Sequence, residues 1–96
     1  MASYELSRAA DRDLTQIYVY SRRQFGAMQA RRYLEGLESC FGLLAKQPEL
    51  GRRMDTLRAG YLRFRHASHV VFYTRTDRRI HIVRVLHLRQ DPERHL

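Results

Sequence analysis

The sequence has little of what several classes of protein require. Its single cysteine, Cys40, excludes an intramolecular disulfide framework and favours a reducing compartment such as the cytosol. It has no apolar run long enough to span a bilayer, and its N-terminus lacks a signal-peptide pattern. Its 96 residues are too few for two independent hydrophobic cores. These absences exclude a secreted disulfide scaffold, a membrane protein and a large multidomain enzyme, and they predict one cytoplasmic domain over residues 1–96.

Acidic residues and lysine are also scarce. Ten acids stand against 18 basic residues, which gives a formal net charge of +8, and Lys46 is the only lysine. The planar guanidinium of arginine matches carboxylates and phosphates, so the excess favours an acidic protein partner or nucleic acid. The codon bias of a GC-rich genome explains the preference for arginine over lysine equally well. It does not explain the excess of positive charge.

Apolar spacing predicts two helices in the first half of the chain. Residues 7–25 repeat at helical spacing, and Ser7 is placed to cap the helix. A second helical pattern over residues 27–47 carries a heptad-like apolar seam and ends before Pro48. Only Gly26 separates the two patterns. So short a connection predicts an antiparallel helical hairpin.

Strand-like patterns occupy the N-terminus and most of the second half. They cover residues 3–6, 61–66, 69–75 and 80–88. The last segment carries aliphatic residues on both faces, which predicts a central strand. The predicted fold is therefore α+β, in the order β-α-α-β-β-β. We expect the helical hairpin to pack on one face of a four-stranded, mainly antiparallel sheet, with a short turn at the C-terminus.

Arginines on the predicted strands are the main candidate binding residues. Strict alternation places Arg84 between Ile82 and Leu86 on one face of the last strand. A cation there needs a carboxylate, backbone carbonyls or water as a partner. Two roles therefore stay open for Arg84, a structural salt bridge and target binding. Arg63 and Arg65 alternate with apolar residues and are expected on the partly open face of the sheet.

The sequence offers no recognisable catalytic or metal-binding set. His66 and His69 flank a turn, but no cysteine or carboxylate lies nearby in sequence to complete a metal site. Cys40 lies beside the apolar seam of the second helix, where a buried small side chain is favoured over a nucleophile. No glycine-rich phosphate loop is present. We therefore expect no catalytic residue, no metal and no cofactor.

Six short segments are specific through their order and spacing, although none is diagnostic alone. They are YELS at 4–7, ADRDL at 10–14 with Ile17, LA at 44–45 before PELG at 48–51, LRAGY at 57–61, SHVVFY at 68–73, and IVRVLH at 82–87 before Asp91. Through these segments, the chain resembles ParE toxins of the RelE/ParE superfamily of bacterial type II toxin–antitoxin systems over essentially its full length.

The resemblance implies a compact toxin fold, a cognate acidic ParD-like antitoxin whose C-terminal segment wraps over the toxin, and DNA gyrase as the target. The candidate target-binding residues are Arg63, Arg65, Arg84, His87, Arg89 and Arg94. The candidate antitoxin-binding residues are the helix aromatics Tyr18, Tyr20, Phe25 and Tyr33. Of these four, only Tyr20 lies off the apolar stripe of its helix and is expected to be exposed, whereas the other three are better explained as core residues.

Two other functions stay open. The RelE branch cuts mRNA on the ribosome with basic strand residues and a C-terminal tyrosine. The matching strand positions here hold Leu62, Phe64 and Val70, and no tyrosine follows Leu88, so RNA cleavage is disfavoured. The second alternative is a non-toxic basic domain that binds nucleic acid directly and in a salt-sensitive way. No known nucleic-acid-binding motif supports that alternative.

Overall fold

A computed structural model of the chain describes residues 3–96. Two long helices lie side by side on one face of a five-stranded sheet. The elements are β1 (Ser3–Leu6), α1 (Arg8–Phe25), α2 (Ala27–Lys46), β2 (Arg52–Arg53), β3 (Leu62–His66), β4 (His69–Arg75), β5 (Arg79–His87) and α3 (Pro92–His95), with a short 3₁₀ helix at Pro48–Leu50 after α2. The strand order in the sheet is β1-β5-β4-β3-β2. The predicted α+β fold is confirmed.

The helical hairpin begins, turns and ends where the sequence predicts. Ser7 caps α1, since its Oγ accepts the N–H of Ala10 at 2.9 Å. Gly26 alone separates the helices, and its φ of 90° is a conformation that favours glycine. Gln47 ends α2 immediately before Pro48. Within the described residues, none of the helices has the length and apolar character that crossing a membrane requires.

The sheet contains the four predicted strands and one more. β2, β3, β4 and β5 pair antiparallel in succession, whereas β1 lies parallel to β5. The additional strand, β2, is two residues long and forms one edge. The last strand lies inside the sheet, between β1 and β4, as predicted, although β4 is the middle strand of the five. β5 is apolar on both faces because the helices cover one face and a second apolar cluster covers the other.

A register shift in β5 changes which of its side chains share a face. Phe72 of β4 lies opposite Arg84, but the next residue of β4 lies opposite Ile82, so Val83 is an extra residue in β5. Ile82 packs under the helices, whereas Leu86 packs on the opposite face of the sheet. The strict alternation that placed Arg84 between Ile82 and Leu86 on one face is therefore wrong.

The main core lies between the helical hairpin and the sheet. Phe41 and Tyr73 are its largest side chains, and both are completely buried. Cys40 is also buried, as predicted, and burial raises the pKa of its thiol. On the opposite face of the sheet a smaller cluster is formed by Val70, Phe72 and Leu86, with Met54 and Leu96 packed against it. The C-terminal tail is thereby held against the sheet.

Replacing Gly51 by alanine is expected to destabilise the protein. Tyr73 donates a hydrogen bond from its hydroxyl to the carbonyl of Pro48 at 2.6 Å, and a Cβ at position 51 would overlap that hydroxyl. Relieving the overlap costs about 1–3 kcal/mol in free energy of unfolding. Urea denaturation measures this loss.

Gly42→Ala is the matched control, because nothing lies within 4 Å of the Cβ that it adds in α2. The better helix propensity of alanine raises the stability of this variant by about 0.5–1 kcal/mol. Equal stabilities of the two variants would contradict the steric argument.

Candidate functional site

A cleft of about 700 Å³ separates the helical hairpin from the C-terminal half of β5. It exists because the pairing of β1 with β5 ends at Leu6 and Ile82, which leaves β5 without a neighbouring strand on that side from Val83 onward. We call it the hairpin cleft. Residues that line it include Tyr20 and Phe25 of α1, Tyr33 of α2, His69 of β4, His87 of β5, and Arg89.

Side chains satisfy the free edge of β5 in place of a strand. Their three bonds join Ser7 Oγ to the Val83 carbonyl at 2.7 Å, the Val85 N–H to Asp13 at 2.9 Å, and the His87 N–H to Gln90 Oε1 at 2.8 Å. Buried or partly buried backbone groups need such partners. The edge therefore stays open as the wall of a cleft without leaving these groups unpaired.

The ion pair of Asp13 and Arg84 joins α1, β5 and the tail. Arg84 donates from Nε and Nη2 to the two carboxylate oxygens of Asp13 at 2.8 and 2.9 Å, and from Nη1 to the carbonyl of His95 at 2.9 Å. The Asp13 side chain is only 9% exposed, and that of Arg84 is 21% exposed. The hydrogen bonds to Asp13 raise the pKa of Arg84. All three guanidinium nitrogens are engaged within the chain, as in a structural salt bridge.

Three of the four candidate aromatics line the hairpin cleft. Tyr20 is 62% exposed, as predicted, and Tyr33 is partly buried. Phe25 is 59% exposed, so its interpretation as a core residue is wrong. It is the last residue of α1 and lies at the tip of the hairpin, where the sheet does not cover it. Tyr18 is partly buried and does not line the cleft.

Three histidines form a row across one end of the sheet. The strand register places His66 opposite His69, and His69 opposite His87. The rings of His69 and His87 lie 5.4 Å apart between centroids, and the hydroxyl of Tyr33 lies 2.6 Å from His69 Nδ1. We call these residues the histidine row. Sequence spacing predicts that His66 and His69 flank a turn. It does not predict that His87 lies beside His69, because that position depends on the extra residue Val83 in β5.

Burial keeps the centre of the histidine row uncharged. Burial, and then the neighbouring His87 and His66, lower the pKa of His69 to about 4, against an opposing effect of Asp13. Burial also raises the pKa of the Tyr33 hydroxyl, so both groups of this contact are neutral at pH 7. Among residues 3–96, no set of three or more His, Cys, Asp or Glu side chains is arranged to hold a metal ion.

Arg63 and Arg65 lie on the sheet face opposite the helices, as expected. Arg63 stands directly across from Arg52 of β2, and like charges in such a pair destabilise a sheet. Within the described part of the chain, none of the three arginines forms a salt bridge. Leu62 and Phe64 alternate with them and pack in the main core. β3 therefore presents cations on its open face and apolar side chains under the helices.

The remaining candidate target residues do not form one patch. Arg89 lines the hairpin cleft, and its N–H donates to Nδ1 of His87 at 3.1 Å. Arg94 lies in α3, outside the lining of the cleft. Both arginines are exposed, and neither forms a salt bridge among residues 3–96. The candidates are thus divided between the cleft, the tail helix and the open sheet face that carries Arg63 and Arg65.

Comparison with known proteins gives full-length similarities. Residues 4–92 match the model of a family described as ParE toxin of type II toxin-antitoxin system, parDE. The chain is 42% identical to Toxin ParE1 of Caulobacter vibrioides over 96 residues, which cover 100% of this chain and 99% of that protein. It is 38% identical to Toxin ParE1 of Mycobacterium tuberculosis over 94 residues, with coverage of 97% and 96%.

A solved structure described as a chromosomal ParDE TA system from P. aeruginosa contains a similar chain. The TM-score is 0.77 at 18% sequence identity, and the alignment covers 91% of this chain and 96% of that one. At this identity the likeness shows the fold alone. The two helices on a mixed sheet are therefore an arrangement that an experimentally solved protein also adopts.

Replacing Asp13 by alanine is expected to lower the free energy of unfolding by about 3–5 kcal/mol, because the partly buried Arg84 and the Val85 N–H lose their partner. Combining Asp13→Leu with Arg84→Met recovers part of this loss, since no charge stays buried, although the Val85 N–H still lacks its partner. Glu5→Ala is the control, because its pair with Arg79 is exposed and worth at most about 1 kcal/mol. The explanation is contradicted if urea denaturation shows no larger loss in free energy of unfolding for Asp13→Ala than for Glu5→Ala.

Acid is expected to destabilise the protein through His69 between about pH 6.5 and pH 4. The folded-state pKa of about 4 lies below the unfolded value of 6.5. In this window the unfolded chain binds the extra proton, so stability falls with the pH by up to about 1.4 kcal/mol per unit. His69→Gln flattens this part of the profile in urea denaturation, whereas His95→Gln in the exposed tail leaves it unchanged. An unchanged slope in His69→Gln would contradict the prediction.

Proposed function

This chain belongs to the ParE toxin family of type II toxin–antitoxin systems, and on that premise we propose that it inhibits DNA gyrase by binding alone. We propose further that a cognate acidic ParD-like antitoxin neutralises it in the cytoplasm. The observation that carries the proposal is the hairpin cleft, a cationic groove with exposed aromatic walls on a chain of net charge +8.

The charge and polarity of the hairpin cleft fit an acidic polypeptide segment. Among the described residues that line it, Asp13 is the only one with a carboxylate, and this group is already engaged by Arg84 and Val85. Tyr20 and Phe25 supply exposed aromatic surface, which is the kind of contact that anchors interfaces. A segment that carries both acidic and apolar side chains satisfies both features, and such a segment folds on binding.

The groups in the hairpin cleft are poorly suited to RNA cleavage. The cleft does bring two histidines and an arginine together, which are groups that acid–base chemistry on a phosphodiester uses. A general base works best with a pKa near the operating pH, however, and that of His69 is about 4. The Tyr33 hydroxyl beside it has a raised pKa. These values support a toxin that acts through its surface rather than through catalysis.

Arginines that form no salt bridge within the described residues are the proposed contacts with the target. Arg63 and Arg65 lie on the open sheet face, Arg94 on the tail helix, and Arg89 at the hairpin cleft. Arg84 is left out of this set, because Asp13 and His95 occupy its guanidinium. Arg89 belongs to both proposed surfaces, so an antitoxin in the cleft would cover part of the target-binding surface. We propose this overlap as the basis of neutralisation.

Purified gyrase with relaxed plasmid and ATP tests the proposal, with a cell-free translation reaction run beside it. The chain is expected to stop supercoiling or to accumulate cleaved DNA while translation continues. The protein from a small acidic reading frame next to its gene should restore supercoiling. Arg89→Glu is expected to weaken inhibition by about tenfold, which corresponds to about 1.4 kcal/mol of binding free energy. Arg31→Glu, on the exposed face of α2, is the matched charge-reversal control.

Two results of these reactions would contradict the proposal. If translation collapses with cut mRNA and gyrase is untouched, gyrase inhibition is wrong and the RelE-like endonuclease takes its place. If Arg31→Glu weakens inhibition as much as Arg89→Glu does, overall charge rather than the surface at Arg89 determines the effect.

A further inference from the structure

We propose that two members of the histidine row, His69 and His87, form a carboxylate-binding site with Arg89 at one end of the hairpin cleft, and that docking of an acidic side chain there takes up a proton from solvent. The inference rests on the proposed function, because the occupant is the acidic segment of the antitoxin. It adds the place in the cleft where an acidic side chain binds and the change of protonation that accompanies binding.

The donors of the site are held in place by the sheet and the following turn. His69 and His87 are direct cross-strand neighbours, and Tyr33 fixes the ring of His69 by its contact with Nδ1. His87 accepts the N–H of Arg89 at its Nδ1, so the proton of the neutral ring is on Nε2. The side chain of Arg89 lines the same cleft. A carboxylate that enters at this end therefore meets an arginine and two imidazoles.

Among residues 3–96, the histidine row has no counterion that is free to pair with it. The charged and titratable groups around His69 are Tyr33 from α2, His66 from β3, His87 from β5 and Asp13 from α1. The two arginines of the cleft, Arg84 and Arg89, add positive charge. Asp13 is the one negative group among them, and its oxygens are bound to Arg84 and the Val85 N–H. An incoming carboxylate is thus the first negative charge available to the row.

The incoming charge alters which protonation state of the imidazoles is favoured. In the free protein, burial and the neighbouring rings keep His69 neutral at pH 7. A carboxylate at contact distance favours the charged imidazolium and so raises its pKa. The complex then binds more protons than the separated proteins, and affinity rises as the pH falls. For one proton the increase is up to about tenfold per pH unit.

The walls of the cleft identify the carboxylate as part of a polypeptide. Ile17, Tyr20 and Phe25 line the same cavity as the histidines. Free phosphate or a small dicarboxylate would contact the cationic end and leave these apolar side chains in water. A peptide segment places an acidic side chain on the histidine row and apolar side chains on the helix wall at the same time, which buries both surfaces.

Calorimetry of the full chain with the protein from the neighbouring acidic reading frame tests the site. Titrations at about pH 6.5 in two buffers of different ionisation enthalpy count the protons taken up, and a third set between about pH 7.5 and pH 5.5 gives the affinity profile. We expect uptake of up to about one proton and tighter binding at lower pH. Carboxylates of the partner stay charged over this range, since their ordinary pKa values are about 4.

Two variants assign the proton to the histidine row. His69→Gln keeps a group able to contact Tyr33, and His87→Gln changes the cross-strand neighbour of His69. Both variants are expected to reduce proton uptake and to flatten the pH profile of affinity. His81→Gln is the matched control, because His81 lies on the same strand as His87 but contacts Glu5. Thermal unfolding of each variant verifies its fold. If His69→Gln does not fold, His87→Gln alone decides.

The outcomes separate this inference from the proposed function. Binding without proton uptake, or uptake that stays undiminished in both His69→Gln and His87→Gln, overturns the carboxylate site and leaves the antitoxin proposal standing. Complete lack of binding overturns the antitoxin proposal and the site with it. Uptake that is lost equally in His81→Gln assigns the proton elsewhere and also overturns the site.

Discussion

The carboxylate of Asp13 is the contact on which the arrangement of the hairpin cleft depends. Hydrophobic burial holds the helices on the sheet, but burial is non-directional and does not fix where α1 lies along the edge of β5. Paired charge-assisted hydrogen bonds do fix it, because both their lengths and their angles are constrained. Asp13 binds Arg84 and the Val85 N–H together and so stands where a neighbouring strand would have been. Together with Ser7 and Gln90, this buried side chain completes the sheet edge, and the cleft stays open.

The two faces of the sheet are used differently, although both carry arginines. At the edge of β5, Arg84 is neutralised by Asp13 of α1, and on the helix side burial keeps His69 uncharged. On the opposite face, Arg52 and Arg63 face each other without a carboxylate among the described residues, an arrangement that lowers stability. A charge pattern that costs stability is understandable if a partner compensates for it. The arginines are thus divided into those that the fold pairs with a carboxylate, such as Arg84, and those that form no salt bridge among residues 3–96, such as Arg52 and Arg63.

Periodicity predicted most of the elements, because both helices and the long strands bury one regular stripe. Ser7, Gly26 and Pro48 marked the helix ends correctly, since each acts through local backbone chemistry. The candidate site was less predictable. A single extra residue, Val83, shifts the later part of β5 by one position, and alternation cannot reveal it. That shift placed His87 beside His69 and removed Arg84 from the face of Ile82. The apolar stripe of α1 predicts that Phe25 is a core residue. This prediction is wrong because the stripe continues to the end of the helix, beyond the part that the sheet covers.

The side chains on the free edge of β5 also bear on how the chain behaves when it is alone. An unpaired strand edge beside exposed aromatic residues is a template for a second copy of the same chain, and repeated pairing of that kind leads to fibres. Here Ser7, Asp13 and Gln90 already occupy hydrogen-bonding groups of that edge. A second copy that approached as a strand would have to break these bonds before it gained any of its own. The cleft thus remains accessible to side chains, whereas the backbone of that edge is protected from pairing with a strand of a second copy.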